Sequence, residues 1–303
     1  MNNYAIGIDV GGTNIRVALI DEMMNVLKKA VVRTATFKTF DDFIVGIRAL
    51  IADVDQEKRA TLIGMAVPAP WDDKMDYFRD ATNVPFLENV ATADIKRHFP
   101  NHTIFFENDV NVVALLESKT PARANLNSLM YITVSTGIGS GMIINGQLWQ
   151  GANGYAGEVG NMIVSSGEAD VIVVLEEVCS GLALDSVSKS LYGENATVKK
   201  LFEAYHQNDE ITINAIESWL ETMSDTMASL MHVINPQMFV LGGSVIYHNH
   251  WLLEEILRKT KPKLFENLRE HLKIELSYYG EDSGVLGGAQ LCFVQKKLNK
   301  KGD

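Results

Sequence analysis

Apolar and polar positions change period repeatedly along the chain. The short apolar runs "YAIGI" and "IRVALI" flank "DVGGTN" at residues 9–14, which predicts a strand over 4–8, a glycine turn and a second strand over 14–20. Gly11 and Gly12 would give that tight hairpin its freedom at positive φ. Next, "FDDFIVGIRALIADV" has helical spacing, and the unbroken apolar run in "TLIGMAVPAP" reads as a buried strand. "TIFFENDVNVVALLES" repeats the theme, with a strand ending at Phe106 and a helix starting near Asn111. Strand and helix alternate in an α/β rhythm. Asn108 and Asp109 therefore fall at a strand's carboxyl end, where open α/β sheets bind ligands.

The opening pattern then returns. "LMYITVSTGIGSGMIING" is an apolar strand, a Gly/Ser/Thr turn and a second apolar strand closed by Asn145-Gly146, about 125 residues after the first copy, so a duplicated domain is predicted. A long amphipathic stretch from Ile213 to Ile234, with Leu220, Met223 and Met227 on one stripe, is core rather than a cofactor box. "NPQMFVLGGSV" adds a third glycine turn, and "SGVLGGAQL" a fourth that feeds a last helix. No Gly/Ser/Pro-rich linker interrupts the chain, so two closely apposed domains are expected, 1–118 and 119–303, the last helix packing back on the first.

Composition narrows the function. The 303 residues are 47% hydrophobic, enough for two real cores, and the net charge of −11 argues against a nucleic-acid partner, which needs clustered Lys and Arg. Two cysteines provide neither a disulfide framework nor a four-ligand metal site. Asp9 interrupts the first apolar run, so no signal peptide is read, and no stretch reaches the length of a membrane span. A cytoplasmic protein is expected. In "DVGGTN" the glycines fit a plain hairpin, yet that leaves Asp9 and Thr13 without a role; backbone N–H groups beside a hydroxyl also form a nest for phosphate oxygens, with a carboxylate able to hold Mg²⁺ through water.

Asp9, Gly11, Gly12 and Thr13, then Ser135-Thr136-Gly137-Ile138-Gly139-Ser140-Gly141, then Gly242-Gly243, follow the order of the two phosphate turns and the adenosine turn of the actin-like ATPase fold. The finer match is to the ROK family of bacterial sugar kinases, whose DxGGT, END, GTGxGxG, GExG, LExxxSG and NPxxxxLGG pattern runs here from residue 9 to 243. Within it, "NVPF", "FENDVNV", "NGQLWQGANG" and "LEEVCSGLAL" most resemble the D-allose kinase branch. Other phosphate-binding motifs do not compete. There is no G-x-x-x-x-G-K-[ST] run, and "GIGSG" leads into a hairpin where a Rossmann fingerprint needs a helix. The family's repressors carry a helix-turn-helix before the first phosphate turn, for which the eight residues before Asp9 leave no room.

The resemblance implies a two-domain actin-like ATPase that binds ATP and Mg²⁺ in its interdomain cleft and phosphorylates the 6-hydroxyl of a hexose. D-Allose leads; glucose, N-acetylmannosamine or a β-glucoside are alternatives, and a catalytically silent sugar sensor is the reading from another class. A homodimer is expected. Asp109 would be the base, its competing role being a helix N-cap. Asn83, Asn108, Glu158, Asn161 and Glu176 would contact sugar hydroxyls. Asp9 would orient Mg²⁺-bound water, while Gly11, Gly12, Thr13, Asn14, Thr136 and Gly137 would cradle phosphate. Gly242, Gly243 and Gly287 would flank adenosine.

Two departures from the family pattern stand out. Ala69 replaces the glycine of the usual PGP turn, so an added methyl would narrow or tilt that wall of the sugar site. Asn161 replaces the zinc-binding histidine of GExGH, and the residues from Gly157 to Glu176 contain neither Cys nor His, so no zinc is expected. Packing of Ile163, Val164 and the Val171–Val174 run would hold that loop instead. β-Glucoside kinases of the family also lack these ligands.

Overall fold

The computed structural model describes residues 3–72, 74–165 and 171–299. In the first half β1 (Tyr4–Val10), β2 (Asn14–Asp21) and β3 (Val26–Arg33) form an antiparallel ribbon, followed by α1 (Phe40–Val54), β4 (Leu62–Val67), α2 (Thr92–Arg97), β5 (Thr103–Asn108) and α3 (Asp109–Ser118). β4 adds parallel to β1 and β5 parallel to β4, giving a five-stranded sheet of order β3-β2-β1-β4-β5. Every residue of β4 is buried, as its unbroken apolar run requires of a strand covered on both faces.

The second half opens with β6 (Leu129–Val134), β7 (Ile138–Ile144) and β8 (Gln147–Leu148), then a small hairpin of β9 (Ile163–Val164) and β10 (Val173–Val174). Helices α4 (Leu175–Cys179), α5 (Gly181–Tyr192), α6 (Val198–His206) and α7 (Glu210–Val233) precede β11 (Phe239–Gly242), α8 (Ser244–Tyr247), α9 (Trp251–Thr260), β12 (Ile274–Leu276) and α10 (Ser283–Asn299). The sheet order is β8-β7-β6-β11-β12, an antiparallel ribbon continued by two parallel strands. That is the first half's topology repeated. The structure thus bears out the duplication read from the two glycine turns. On α7, Ile216, Leu220, Met223, Met227 and Leu230 are buried, as the stripe predicted.

Two helices join the halves. α3 lies against β7, where a Cβ on Gly141 would come within 2.7 Å of the Ala114 Cβ, and Val112 and Leu115 share a core with Leu129, Tyr131 and Ile143. α10 returns to the first sheet, and its backbone meets bare strand positions: a Cβ on Gly7 would fall 1.9 Å from the Val285 carbonyl oxygen, and one on Gly64 1.8 Å from that of Gly288. The fourth glycine turn of the sequence reading does not exist. Gly284, Gly287 and Gly288 lie inside α10, where they let it approach α3 and the sheet.

The loop expected to be held by apolar packing is corrected as well. Val164 packs on the second core, but Ile163 and Ile172 are 70% and 75% exposed; backbone pairing of β9 with β10 holds this hairpin instead. Residues 166–170 lie outside the described residues. Among the described residues no helix is long and apolar enough to cross a membrane.

Candidate active site

β5 ends at Asn108 and α3 begins at Asp109, two residues earlier than the pattern suggested. The cap falls to Asn108, whose Oδ1 accepts the N–H groups of Val110 and Asn111 at 2.9 and 3.1 Å, while its Nδ2 donates to the Ala69 carbonyl at 3.2 Å. Asp109 is thereby released from the capping role. Its Oδ1 accepts the Val110 N–H at 2.9 Å, and it lines a cleft of about 780 Å³ between the two halves. Burial, reinforced by the charges of Asp9 and Glu158, pushes the Asp109 carboxyl up to about 7.

The cleft gathers Asn83, Asn108, Asp109, Glu158, Asn161 and Glu176, residues spread over nearly a hundred positions of sequence, with Thr136 and Gly137 beside them. Glu158 and Asn161 adjoin through a 3.5 Å hydrogen bond from Asn161 Nδ2, and burial and the nearby Glu176 raise the Glu158 carboxyl above its usual range. Glu176 has a second engagement that the motif did not show. Its Oε2 accepts the Ile138 N–H at 2.7 Å, and a Cβ on Gly137 would sit 2.3 Å from that oxygen, so Glu176 braces the β6–β7 turn. Ala69 is 2% exposed and joins the apolar cluster of the first half, and with Pro68 and Pro70 it also lines the cleft.

The first glycine turn differs from a plain hairpin in its dihedrals. Neither Gly11 nor Gly12 has positive φ. Gly11 is required by contact, since a Cβ there would lie 2.9 Å from the Asn14 carbonyl oxygen, whereas one on Gly12 would meet only Asn83, at an ordinary 3.4 Å. Three carbonyls of the turn are occupied: Asn14 O accepts Gly11 N–H at 3.1 Å, Thr13 O accepts Thr34 N–H at 2.9 Å, and Gly11 O accepts the Thr34 hydroxyl at 2.6 Å. Gly12 and Thr13 are exposed, and their N–H groups have no partner among the described residues. Behind them Asp9 Oδ2 accepts from Arg16 Nη1 at 3.2 Å, yet burial holds its carboxyl above the ordinary value.

The β6–β7 turn is backed by the start of α5. Ser180 caps that helix, and the Gly181 N–H donates to the Ser135 carbonyl at 2.7 Å, an approach that leaves no space for a Cβ. A second cavity, about 830 Å³, opens on the other side of this turn and shares Ser135 and Thr136 with the first. Its walls include Leu182, Phe202, Val245 and Trp251, and Gly242-Gly243 leads into them through Ser244. Gly243, at φ 84°, has no room for a side chain against the Val134 backbone. Gly287 is corrected: it is buried against the Val112 backbone and lines neither cavity.

The ROK family signature matches residues 5–295. The chain belongs to the ROK family. This ROK protein is 26% identical to a glucokinase of Thermotoga maritima, over 94% of this chain and 96% of that protein. It is 25% identical to an N-acetyl-D-glucosamine kinase of Pasteurella multocida, over 96% and 99%. The structure of a ROK hexokinase from Thermus thermophilus superposes with a TM-score of 0.84 at 25% identity, covering 97% of this chain and 99% of that one. Matched along their full length, this ROK chain has the two-domain actin-like ATPase fold and is an ATP-dependent sugar phosphotransferase. Glucokinases and N-acetylhexosamine kinases are among its relatives, which supports the family and not specifically the D-allose branch read from short motifs.

Sequence reasoning missed Asp80, Thr82 and Tyr155, which line the first cavity, and the apolar wall of the second. Asp80, Tyr155, Phe202 and Trp251 belong to no motif, and only the fold brings them to these cavities.

Proposed function

We propose that this ROK kinase transfers the γ-phosphoryl group of ATP to the 6-hydroxyl of glucose or of a closely related hexose. One observation carries the reading: the first cavity is lined by four carboxylates, Asp80, Asp109, Glu158 and Glu176, and among its described lining residues there is no Lys, Arg or His. Such a wall suits a neutral polyol, whose hydroxyls donate to carboxylates. Among the described residues no three His, Cys, Asp or Glu side chains are grouped to hold a metal directly, so a cation cage is a poorer account of these acids.

The second cavity takes adenosine, and the shared turn at Ser135 and Thr136 takes the phosphates between the two sites. The N–H groups of Gly12 and Thr13 would approach from the other half. Mg²⁺ fits the donor set: Asp9 Oδ2 holds Arg16, leaving Oδ1 to take a metal-bound water, and the raised carboxyl of Asp9 would be relieved by a cation. When bound, the ion would neutralise charge on the phosphates. Asp109 takes the proton of the 6-hydroxyl as its oxygen bonds to the γ-phosphorus and ADP leaves. The Asp109 carboxyl must be ionised to act. With its pKa raised to about 7, kcat/KM should fall tenfold per pH unit below that value and level off above it. A flat profile from pH 5 to about 8 would remove Asp109 from the base role.

Gly12 offers a separate test of the phosphate turn. Nothing within the fold excludes a methyl there. Gly12→Ala should leave the melting temperature unchanged and raise KM for ATP at least about tenfold, because the added methyl would hold phosphate away from the backbone N–H groups, and one lost charge-assisted contact is worth about 1.5–3 kcal/mol. An unchanged KM would assign the turn to hairpin formation alone. We also expect no stoichiometric zinc: elemental analysis should find less than about 0.1 zinc per chain, and a chelator should leave the melting temperature where it was, since a structural site needs about four ligands.

A further inference from the structure

β5 places a carboxylate where its neighbours are apolar. Glu107 follows Ile104, Phe105 and Phe106, pairs with Ala66 of the fully buried β4 and is itself 2% exposed. Enclosing a carboxylate there costs free energy that an apolar side chain would not, so its use lies in what it holds. Oε1 accepts the Asn108 N–H at 2.8 Å and the Asn111 side-chain amide at 2.9 Å, on either side of Asp109. Asn111 is also buried, and its Oδ1 has no partner among the described residues, so the bond to Glu107 is what orients that amide. The other oxygen of Glu107, Oε2, accepts from Gln150 Nε2 at 2.6 Å, a donor supplied by the second half of the chain.

Gln150 heads the loop that leads to Glu158, and its carbonyl accepts the Ala156 N–H at 3.2 Å. The same loop meets the first half twice more, where Gly154 packs on the Trp71 backbone and where the Tyr155 hydroxyl donates to the Asp80 carboxylate at the exposed edge of the cavity. Of these three ties, the one from Gln150 reaches the turn that carries Asp109. Glu158 has a support of its own, because the Ser140 hydroxyl of β7 donates to the Gly157 carbonyl at 2.7 Å. We propose that Gln150 is a positioning residue for the transfer: through Glu107 it fixes the β5–α3 junction and holds Asp109 in register with the sugar-binding loop of the other half. This deepens the reading of the site as a hexose kinase and rests on it. Since Glu158 stays anchored to β7 without the Gln150 side chain, loss of the tie displaces the base more than the sugar, and the chemical step is the more sensitive to such a displacement.

The test measures kcat and KM for glucose, by coupled ADP release at saturating ATP, in wild type, Gln150→Met, Gln150→Glu and the double variant Glu107→Gln/Gln150→Glu. Gln150→Met keeps the length of the side chain without its donor, and Gln150→Glu sets two carboxylates against each other. The double variant restores the hydrogen bond in reverse: the amide introduced at position 107 donates to the carboxylate introduced at 150, and its oxygen still receives Asn108 and Asn111. We expect kcat to fall at least about tenfold in Gln150→Met and further in Gln150→Glu, with KM for glucose within about twofold of wild type. The double variant should recover kcat to within about threefold of wild type, which a general loss of stability would not allow. An unchanged kcat in both single variants, a loss confined to KM, or a double variant as slow as Gln150→Glu would overturn the proposal; if Gln150→Glu does not fold, Gln150→Met decides by the same split. If wild type turns over no sugar, the hexose-kinase reading fails by itself. The tie is then read from hydrogen exchange of the Val110 and Asn111 amides: faster exchange in the Gln150 variants, reversed in the double variant, supports it, and equal exchange in all four proteins overturns it.

Discussion

Asp109→Asn is expected to lower kcat by about 10²–10⁴-fold while sugar affinity and fold persist, the loss typical of removing a general base. The substitution is nearly isosteric, and the N-cap of α3 is made by Asn108, so the helix start is not at stake. It also carries an opposite effect on stability. A carboxyl whose folded pKa is raised to about 7 favours the fold while protonated; that contribution is complete below the unfolded value of 3.8 and is lost as pH rises through 7. Asp109→Asn removes the buried charge. Its melting temperature should exceed that of wild type at pH 8, with the difference shrinking by pH 5. Retained turnover would return Asp109 to a structural role, and a lower melting temperature at pH 8 would contradict the raised pKa.

Gly64→Ala is expected to be among the most destabilising single methyl additions in the protein. Its Cβ would lie 1.8 Å from the Gly288 carbonyl oxygen, a backbone atom that no rotamer change can move. β4 and α10 would have to separate across a fully buried contact. Overpacking of this kind costs about 3 kcal/mol or more, equivalent to roughly 6–12 °C in melting temperature. Gly146→Ala is the control: at φ 73° with nothing within 4 Å, it should cost only about 1 kcal/mol, through backbone strain alone. Equal losses in the two variants would mean that α10 is not seated on the first sheet as described.

These glycines show how far the sequence could be read. The repeated strand–turn–strand pattern disclosed the duplicated sheets, because the first two strands of each ribbon are buried along most of their length and so read as apolar runs on either side of turn residues. The glycines of "SGVLGGAQL" carry the same letters for a different reason. They clear space for a helix against Gly7, Gly64 and Val112, which lie far away in sequence, so a turn was read where a packing contact stands. Asp109, Glu158 and Asn161 were legible from ordered motifs, and the structure brings them to one cleft. Tyr155 and Asp80 were not, since neither residue has a local pattern and their hydrogen bond exists only after the two halves meet. Glu176 was legible as a site residue, but its bond to the Ile138 N–H follows from tertiary approach.

Coupled ADP release with purified protein, ATP, Mg²⁺ and a panel of glucose, N-acetylglucosamine, N-acetylmannosamine and D-allose, followed by identification of the phosphorylated carbon, tests the central claim most directly. The account predicts turnover with glucose leading the panel and phosphate on the 6-hydroxyl. ADP release no faster than in the absence of sugar, for every member of the panel, would contradict it.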